Sequence, residues 1–377
     1  MAGIYIHIPF CKSRCIYCDF YSTTRLQDRE EYVRCIAEEI ALRAPAFMQQ
    51  MAAKGEVLKT VYFGGGTPSL LNETNINDIL NTIRKHFDIS QIEEITLEAN
   101  PGDLSEEKLR VLREAGINRL SMGVQSFQDS LLHRLSRRHN GEEAIAAVNA
   151  ARRAGFENIS IDLMYGLPEQ TMEQWMADVE QAVQLDVEHV SAYCLTYEEG
   201  TPLYRMLLKG EVNELDEECC NRMQDYLEEA LEKHGINRYE ISNYAKEGYR
   251  SKHNGSYWTG SPYLGLGAGA HSYDGAYLRQ WNPDDIAAYM TAIKQGELPL
   301  EHEVLSETDR YNEAVMLGLR TREGIDLNRF SEADRSKILT ESASFLREGL
   351  LVQTRESLRA THAGTRVLNM MIRHLMK

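Results

Sequence analysis

The chain has 377 residues, 43% of them hydrophobic and 26% charged, as in a folded globular protein with room for one large domain and a smaller one. Its 57 acidic residues outnumber 41 Lys and Arg, a formal net charge of -16, which argues against a protein whose main task is gripping nucleic acid. No apolar run is long enough to span a bilayer, and the opening Met1-Ala-Gly-Ile lacks the cationic stretch of a secretory signal, so a cytoplasmic location is expected.

The first two-thirds alternates short apolar strands with amphipathic helices. Strands are predicted over Gly3–Ile8, Val57–Phe63, Glu94–Ala99, Arg119–Val124, Asn158–Met164 and His189–Leu195. Helices are predicted over Arg29–Arg43, Ile76–His86, Ser105–Ala115, a run ending near Ala154, Met172–Leu185 and Asp216–His234. Such βα repetition implies a parallel sheet with right-handed crossovers, which a barrel or a doubly wound sheet would both satisfy. After residue 235 the alternation is lost, and Tyr, Gly and Asn become dense from Tyr239 to Asn282. Helical periodicity returns in Asp309–Leu319, Ser331–Glu348 and His362–Leu375, with a candidate hairpin over Gly349–Arg359. The expected organisation is a βα domain over 1–235, a Gly/Tyr-rich connecting region over 236–304 and a mostly helical module over 305–377.

The seven cysteines are an odd number in a chain with no export signal, which favours metal or redox use for any clustered set. Cys35, Cys194, Cys219 and Cys220 are dispersed and read as buried apolar side chains. Cys11, Cys15 and Cys18 follow directly on the first strand. Their spacing lets one loop wrap a compact object, and soft thiolates suit zinc or an iron–sulfur cluster. Structural zinc wants four protein ligands, and no fourth Cys or His stands at a plausible local spacing. Three ligands on a cubane leave one iron open to chelate a small molecule.

Polar residues recur on or just after the strands. Tyr5 and His7 alternate with Ile4, Ile6 and Ile8 and so share a face. The second strand runs into Gly64-Gly65-Gly66-Thr67-Pro68, whose glycines let a ligand approach the backbone. Glu98 shares a face with Thr96, Gln125 follows an apolar strand, and Asp162 alternates with Ile161 and Leu163.

Cys-x3-Cys-x2-Cys, with Tyr17 before the last Cys, resembles the signature of the radical S-adenosylmethionine superfamily. Gly-Gly-Gly-Thr-Pro, Glu-Ala-Asn-Pro, Gly-Val-Gln-Ser-Phe, Arg-Arg-His and Asp-Leu-Met-Tyr-Gly-Leu-Pro are similar to ordered blocks of the oxygen-independent coproporphyrinogen III oxidase family, across nearly the whole chain. The resemblance implies a partial six-unit (β/α) barrel of TIM type with a smaller, mostly helical C-terminal domain. It implies a 4Fe-4S cluster on Cys11, Cys15 and Cys18, and S-adenosylmethionine held by Tyr5, Gly65, Gly66, Thr67, Glu98, Gln125, Arg137 and Asp162. Tyr17 would cover the adenine, Glu98 or Asp162 would accept ribose hydroxyls, and Arg137 would pair with the carboxylate. The electron would come from a donor such as a flavodoxin or ferredoxin.

Three departures separate the chain from the oxidase. Phe20 stands where the oxidase pattern has a fourth Cys, the first strand begins almost at Met1, and the chain carries His253-Asn254-Gly-Ser-Tyr257-Trp258. His-Asn-x-x-Tyr-Trp resembles the mark of the heme-chaperone, or HemW-type, branch. This implies heme binding, with His253, Asn254, Tyr257 and Trp258 as candidate heme residues and His7 and His271 as competing ligands. The expected function is to bind heme and pass it to an acceptor protein. The alternatives are a porphyrinogen decarboxylating oxidase and a radical methyltransferase.

Overall fold

The computed structural model describes residues 1–377. Strand β1 (Ala2–Ile8) leads to helix α1 (Arg29–Ala53), β2 (Leu58–Gly65) to α2 (Glu73–His86), and β3 (Glu94–Ala99) to α3 (Glu106–Ala115). Strand β4 (Arg119–Gln125) leads to α4 (Asp129–Arg134) and α5 (Gly141–Arg153). Strand β5 (Ile159–Tyr165) leads to α6 (Met172–Gln184), and β6 (His189–Cys194) to α7 (Pro202–Leu208) and α8 (Glu217–Glu232). The six strands pair in chain order, all parallel. Beyond β6 the next neighbour is antiparallel and belongs to another segment, so the curved sheet is a partial barrel of six βα units.

Alternation along the strands sorts the two faces of this wall. Ile4, Ile6 and Ile8 have no exposed surface and point outward into the helix layer, each burial stabilising by roughly 1.5–3 kcal/mol. The intervening Tyr5 and His7 point into the lumen, as do Tyr62, Thr96, Glu98, Arg119, Ser121, Asp162 and Ser191. The barrel therefore has an apolar outside under its helices and a polar inside. Helices α2, α5 and α6 each begin in a reciprocal capping box built on Asn72, Asn140 and Thr171.

Helix α1 overruns its predicted end by ten residues, passing through Pro45 to Ala53. Proline in a helix interior loses a backbone bond. The buried stripe Ile36, Ile40, Ala44, Phe47 and Met51 continues past it and offsets that loss. The predicted helical run up to Ala154 is split into α4 and α5 at Ser136, which has φ +57°.

The stretch after residue 235 is not devoid of regular structure. It forms β7 (Asn237–Arg238), β8 (Asn243–Ala245), α9 (Lys252–Trp258), β9 (Tyr263–Leu266), β10 (His271–Tyr273), β11 (Leu278–Trp281), α10 (Ile286–Lys294) and β12 (Glu301–Val304). These strands are only two to four residues long, which hides their period of two. They extend both edges of the sheet, giving the order β12-β11-β10-β9-β1-β2-β3-β4-β5-β6-β8-β7. Tyr244, Leu264, Leu266, Ala268 and Tyr289 share one apolar core with β1 to β6.

The last part has its own core, from Tyr311 to Leu375. It contains α11 (Glu307–Leu319), β13 (Ile325–Asp326), α12 (Glu332–Glu341), α13 (Ala343–Arg347), β14 (Leu351–Gln353), β15 (Ser357–Ala360), α14 (His362–Thr365) and α15 (Leu368–Leu375). The expected hairpin is β14–β15, joined by β13 into a three-stranded sheet. No helix of the chain is long and apolar enough to cross a membrane.

Candidate functional site

Functional groups in a βα barrel gather where the strands end. The cysteine loop follows the C-terminal end of β1 and is tied at its base by Cys11 N–H to Thr23 O (2.9 Å) and Thr23 N–H to Pro9 O (2.7 Å). Lys12 reaches Asp103 at 2.8 Å and anchors the loop to the turn after β3, where Arg138, from the segment between α4 and α5, also pairs with Asp103 at 2.7 Å. All three thiols are free. Thr67 Oγ1 lies 3.4 Å from Cys11 Sγ, and Arg137 Nη1 lies 3.4 Å from Cys15 Sγ. Burial pushes the Cys11 and Cys18 thiols above their ordinary range.

The remaining expected residues converge on the same end of the lumen. Tyr62 donates its phenolic hydrogen to Glu98 Oε1 (2.7 Å), and Gly65 N–H donates to Glu98 Oε2 (3.1 Å). A side chain at Gly64 would meet Tyr5, Tyr62 and Glu98 together. At Gly65, φ is +109° and a Cβ would sit 2.6 Å from the His7 ring, so only glycine fits. A Cβ on Gly66 would strike the Pro9 carbonyl carbon at 2.8 Å.

Arg137 also donates to Gly123 O, beside Gln125, which ends β4 with φ +70°. A non-glycine residue in that region stores strain of the kind found at ligand sites. Asp162 accepts from Ser121 Oγ (3.3 Å). Burial raises both lumen carboxyl groups, Glu98 to about 7, with Asp162 adding to the Glu98 shift. Tyr17 packs with Ile16 against Leu131, Met164, Leu167 and Leu203.

Two features suit a bulky guest better than a bare ion. No three His, Cys, Asp or Glu side chains converge closely enough to grip one metal ion. Thiols spread around a loop instead match a cluster that brings its own sulfides. Arg137 Nε is buried without a partner at the edge of the loop, and the glycines at 64–66 leave the neighbouring wall bare. The donor set and the cradle fit a 4Fe-4S cluster with S-adenosylmethionine beside it.

The His253 motif lies elsewhere. Helix α9 begins where Glu94, the first residue of β3, accepts from Lys252 N–H (2.9 Å) and His253 N–H (3.0 Å). Gly3 and Thr60, near the starts of β1 and β2, touch the His253 ring. The motif thus plugs the N-terminal mouth of the barrel, opposite the cysteine loop. His253 has no exposed surface, and both ring nitrogens are bonded, Nδ1 with Thr60 Oγ1 (2.8 Å) and Nε2 with Tyr257 OH (2.9 Å). Burial lowers its pKa to about 3. This corrects the expectation of an iron ligand at His253, because neither nitrogen is free and no face is open. His7 is committed in the same way, to Tyr5 OH (3.1 Å) and Tyr21 O (3.0 Å). Tyr257 is engaged as the partner of His253, while Asn254 and Trp258 are half-buried on α9.

Two lumen residues escaped the sequence reading. Tyr62 holds Glu98, and Arg119 is 1% exposed with Nε and Nη1 unpartnered. The Arg119 charge draws Glu98 and Asp162 back towards ionisation. The signal for both was the period-two pattern in Val61-Tyr62-Phe63 and Arg119-Leu120-Ser121, where every second residue faces the lumen.

Residues 5–182 match the model of the radical SAM superfamily, and residues 305–367 match that of the HemN C-terminal domain. The chain is 38% identical over 373 residues to heme chaperone HemW of Bacillus subtilis, covering 97% of this chain and 96% of that one. It is 34% identical over 379 residues to heme chaperone HemW of Mycobacterium tuberculosis, covering 99% and 94%. In fold it matches coproporphyrinogen III oxidase (HemN) of Escherichia coli with a TM-score of 0.84, at 23% identity, over 100% of this chain and 90% of that one. The chain belongs to the HemW family, within the radical SAM superfamily.

Proposed function

We propose that the chain is a heme carrier built on a radical S-adenosylmethionine core, which binds heme and hands it to an acceptor protein. The observation that carries this reading is its likeness, along almost its entire length, to proteins named heme chaperone HemW. Phe20, in the place of the oxidase pattern's fourth Cys, points the same way.

In this reading Cys11, Cys15 and Cys18 hold a 4Fe-4S cluster, steadied by the contacts of Thr67 and Arg137 with two of the sulfurs. Tyr5, Gly65, Gly66, Glu98, Gln125 and Asp162 hold S-adenosylmethionine, with Tyr17 over the adenine. When bound, the cluster supplies electrons taken from a flavodoxin- or ferredoxin-like donor. The protein works in the cytoplasm.

The test is transfer. Protein loaded with hemin and freed of excess is mixed with a heme-free acceptor hemoprotein, and the acceptor's own Soret band is followed. Stoichiometric loading followed by transfer is expected. A chain that takes up no hemin in saturable fashion is not a heme carrier.

A further inference from the structure

The lumen face of the sheet continues past β1. Strand β9 runs parallel to β1, with Gly3 beside Tyr263 and Tyr5 beside Gly265. Strands β10 and β11 carry the face outward, pairing Tyr273 with Tyr263, His271 with Trp281 and Tyr273 with Arg279. Paired residues share a face. His271, Tyr273, Arg279 and Trp281 therefore stand on the face that carries Tyr5 and Tyr62 within the barrel. Ser272, between them, points the other way, to Arg43 of α1 (2.9 Å).

This extension offers what three histidines inside the sheet, His7, His189 and His253, lack. His7 and His253 have both ring nitrogens bonded, as has His189, to Ser160 Oγ (2.7 Å) and Tyr239 OH (2.8 Å). His271 is exposed, and no hydrogen bond engages its ring. Burial on one side and the Arg279 charge keep it below the usual histidine range. Its ring lies against the Trp281 indole, centroids 5.5 Å apart and planes 23° from parallel. The indole is itself fixed by Nε1–H donating to Glu301 (3.2 Å). Between His271 and Tyr5 the sheet carries Gly265, and the His271 backbone packs on it where a Cβ would stand. An exposed imidazole with no hydrogen bond, braced by an indole, can present a nitrogen to the iron of a macrocycle. Arg279, 32% exposed, borders it and is bound only at its Nη1 by Glu313 (2.7 Å).

We propose that His271 is the axial ligand of the heme iron, with Trp281 holding its ring in place and Arg279 pairing with a propionate carboxylate. This rests on the heme-carrier reading and assigns the residue that grips the cargo. Binding is a dative bond from an imidazole nitrogen to iron that displaces water, with no change in oxidation state.

The experiment is a hemin titration of the full chain, read by Soret absorbance and electron paramagnetic resonance. It compares wild type, His271→Gly, Trp281→Leu and the exposed-histidine control His302→Ala, each first shown to melt as wild type does. His271→Gly is expected to lose the imidazole-ligated signature and bind at least about ten-fold more weakly, and free imidazole to restore the signature. Trp281→Leu is expected to broaden the signature, and His302→Ala to leave it unchanged. If wild type binds hemin and His271→Gly keeps the same spectrum, the assignment is overturned while the carrier reading stands. If wild type binds none, the carrier reading itself falls.

Discussion

Tyr62 and Glu98 lie on neighbouring strands of the barrel and meet inside the lumen, the phenol donating to the carboxyl at 2.7 Å. The other carboxyl oxygen is held by Gly65 N–H. The bond ties the middle of the lumen to the glycine turn at its C-terminal rim. The His253 ring stacks on Tyr62 from below, at 5.0 Å and 27°. The plug at one mouth of the barrel and the glycine turn at the other are thus linked through two side chains.

Removing the phenol frees the carboxyl to rotate. Tyr62→Phe is expected to weaken S-adenosylmethionine binding by about ten-fold, the worth of one hydrogen bond to a charged group. Equilibrium dialysis of the cluster-loaded protein measures it. Unchanged affinity would mean that Tyr62 does not position Glu98.

Glu98 titrates near 7 because burial raises it, whereas an unburied glutamate titrates near 4.5. If the ribose hydroxyls donate to an ionised Glu98, affinity for S-adenosylmethionine should fall as pH drops through about 7. Glu98→Gln should flatten that dependence at the lower affinity. A wild-type profile flat from pH 6 to 8 would rule the carboxylate out as the acceptor.

His253 makes the stability of the fold depend on pH as well. The folded protein keeps its imidazole neutral down to about 3, while the unfolded chain takes up the proton near 6.5. Stability contributed by the neutral ring is present above about 6.5 and lost as pH falls from there. Each pH unit in that window removes up to about 1.4 kcal/mol for one such proton. Urea unfolding between pH 6.5 and 4.5 should show a shallower decline in His253→Gln than in wild type. Equal slopes would contradict a neutral, sealed His253.

The cysteine loop makes a direct demand on iron. Anaerobically reconstituted protein should hold about four irons per chain, and Cys15→Ala should hold none. Wild type that shows no cluster absorbance after reconstitution with iron and sulfide would defeat the cluster assignment.

A carrier need not turn over the oxidase's substrate. Incubation with coproporphyrinogen III, S-adenosylmethionine and a reductant should yield no protoporphyrinogen. Any decarboxylated product detected by chromatography would make the chain an oxidase.

Much of the barrel was legible because β1 to β6 are long enough to show a period, and their helices show a stripe. The cysteine loop was legible because its residues are adjacent in sequence. Tyr62 and Arg119 were not, because each acts on a neighbour from a different strand. Tyr62 matters through Glu98, 36 residues away, and Arg119 through charges on β3 and β5. The His253 motif misled for a related reason. His, Tyr and Trp suit a macrocycle in composition, yet Thr60 and Glu94, from strands far earlier in the chain, draw the histidine inward. Strands β7 to β12 were hidden by their shortness, since two to four residues show no alternation that chance would not.

Strand β1 lies inside the sheet, between β2 and β9, and its register with β9 joins Gly3 to Tyr263. During synthesis the strand that carries the cysteine loop stays an open edge until some 260 residues have followed it. Contacts of such separation form late and slow a fold. Iron and sulfide delivered to the nascent chain would meet three cysteines on an unfinished rim. Delivery after release would meet a settled one, so the order of maturation is written into the position of the first strand.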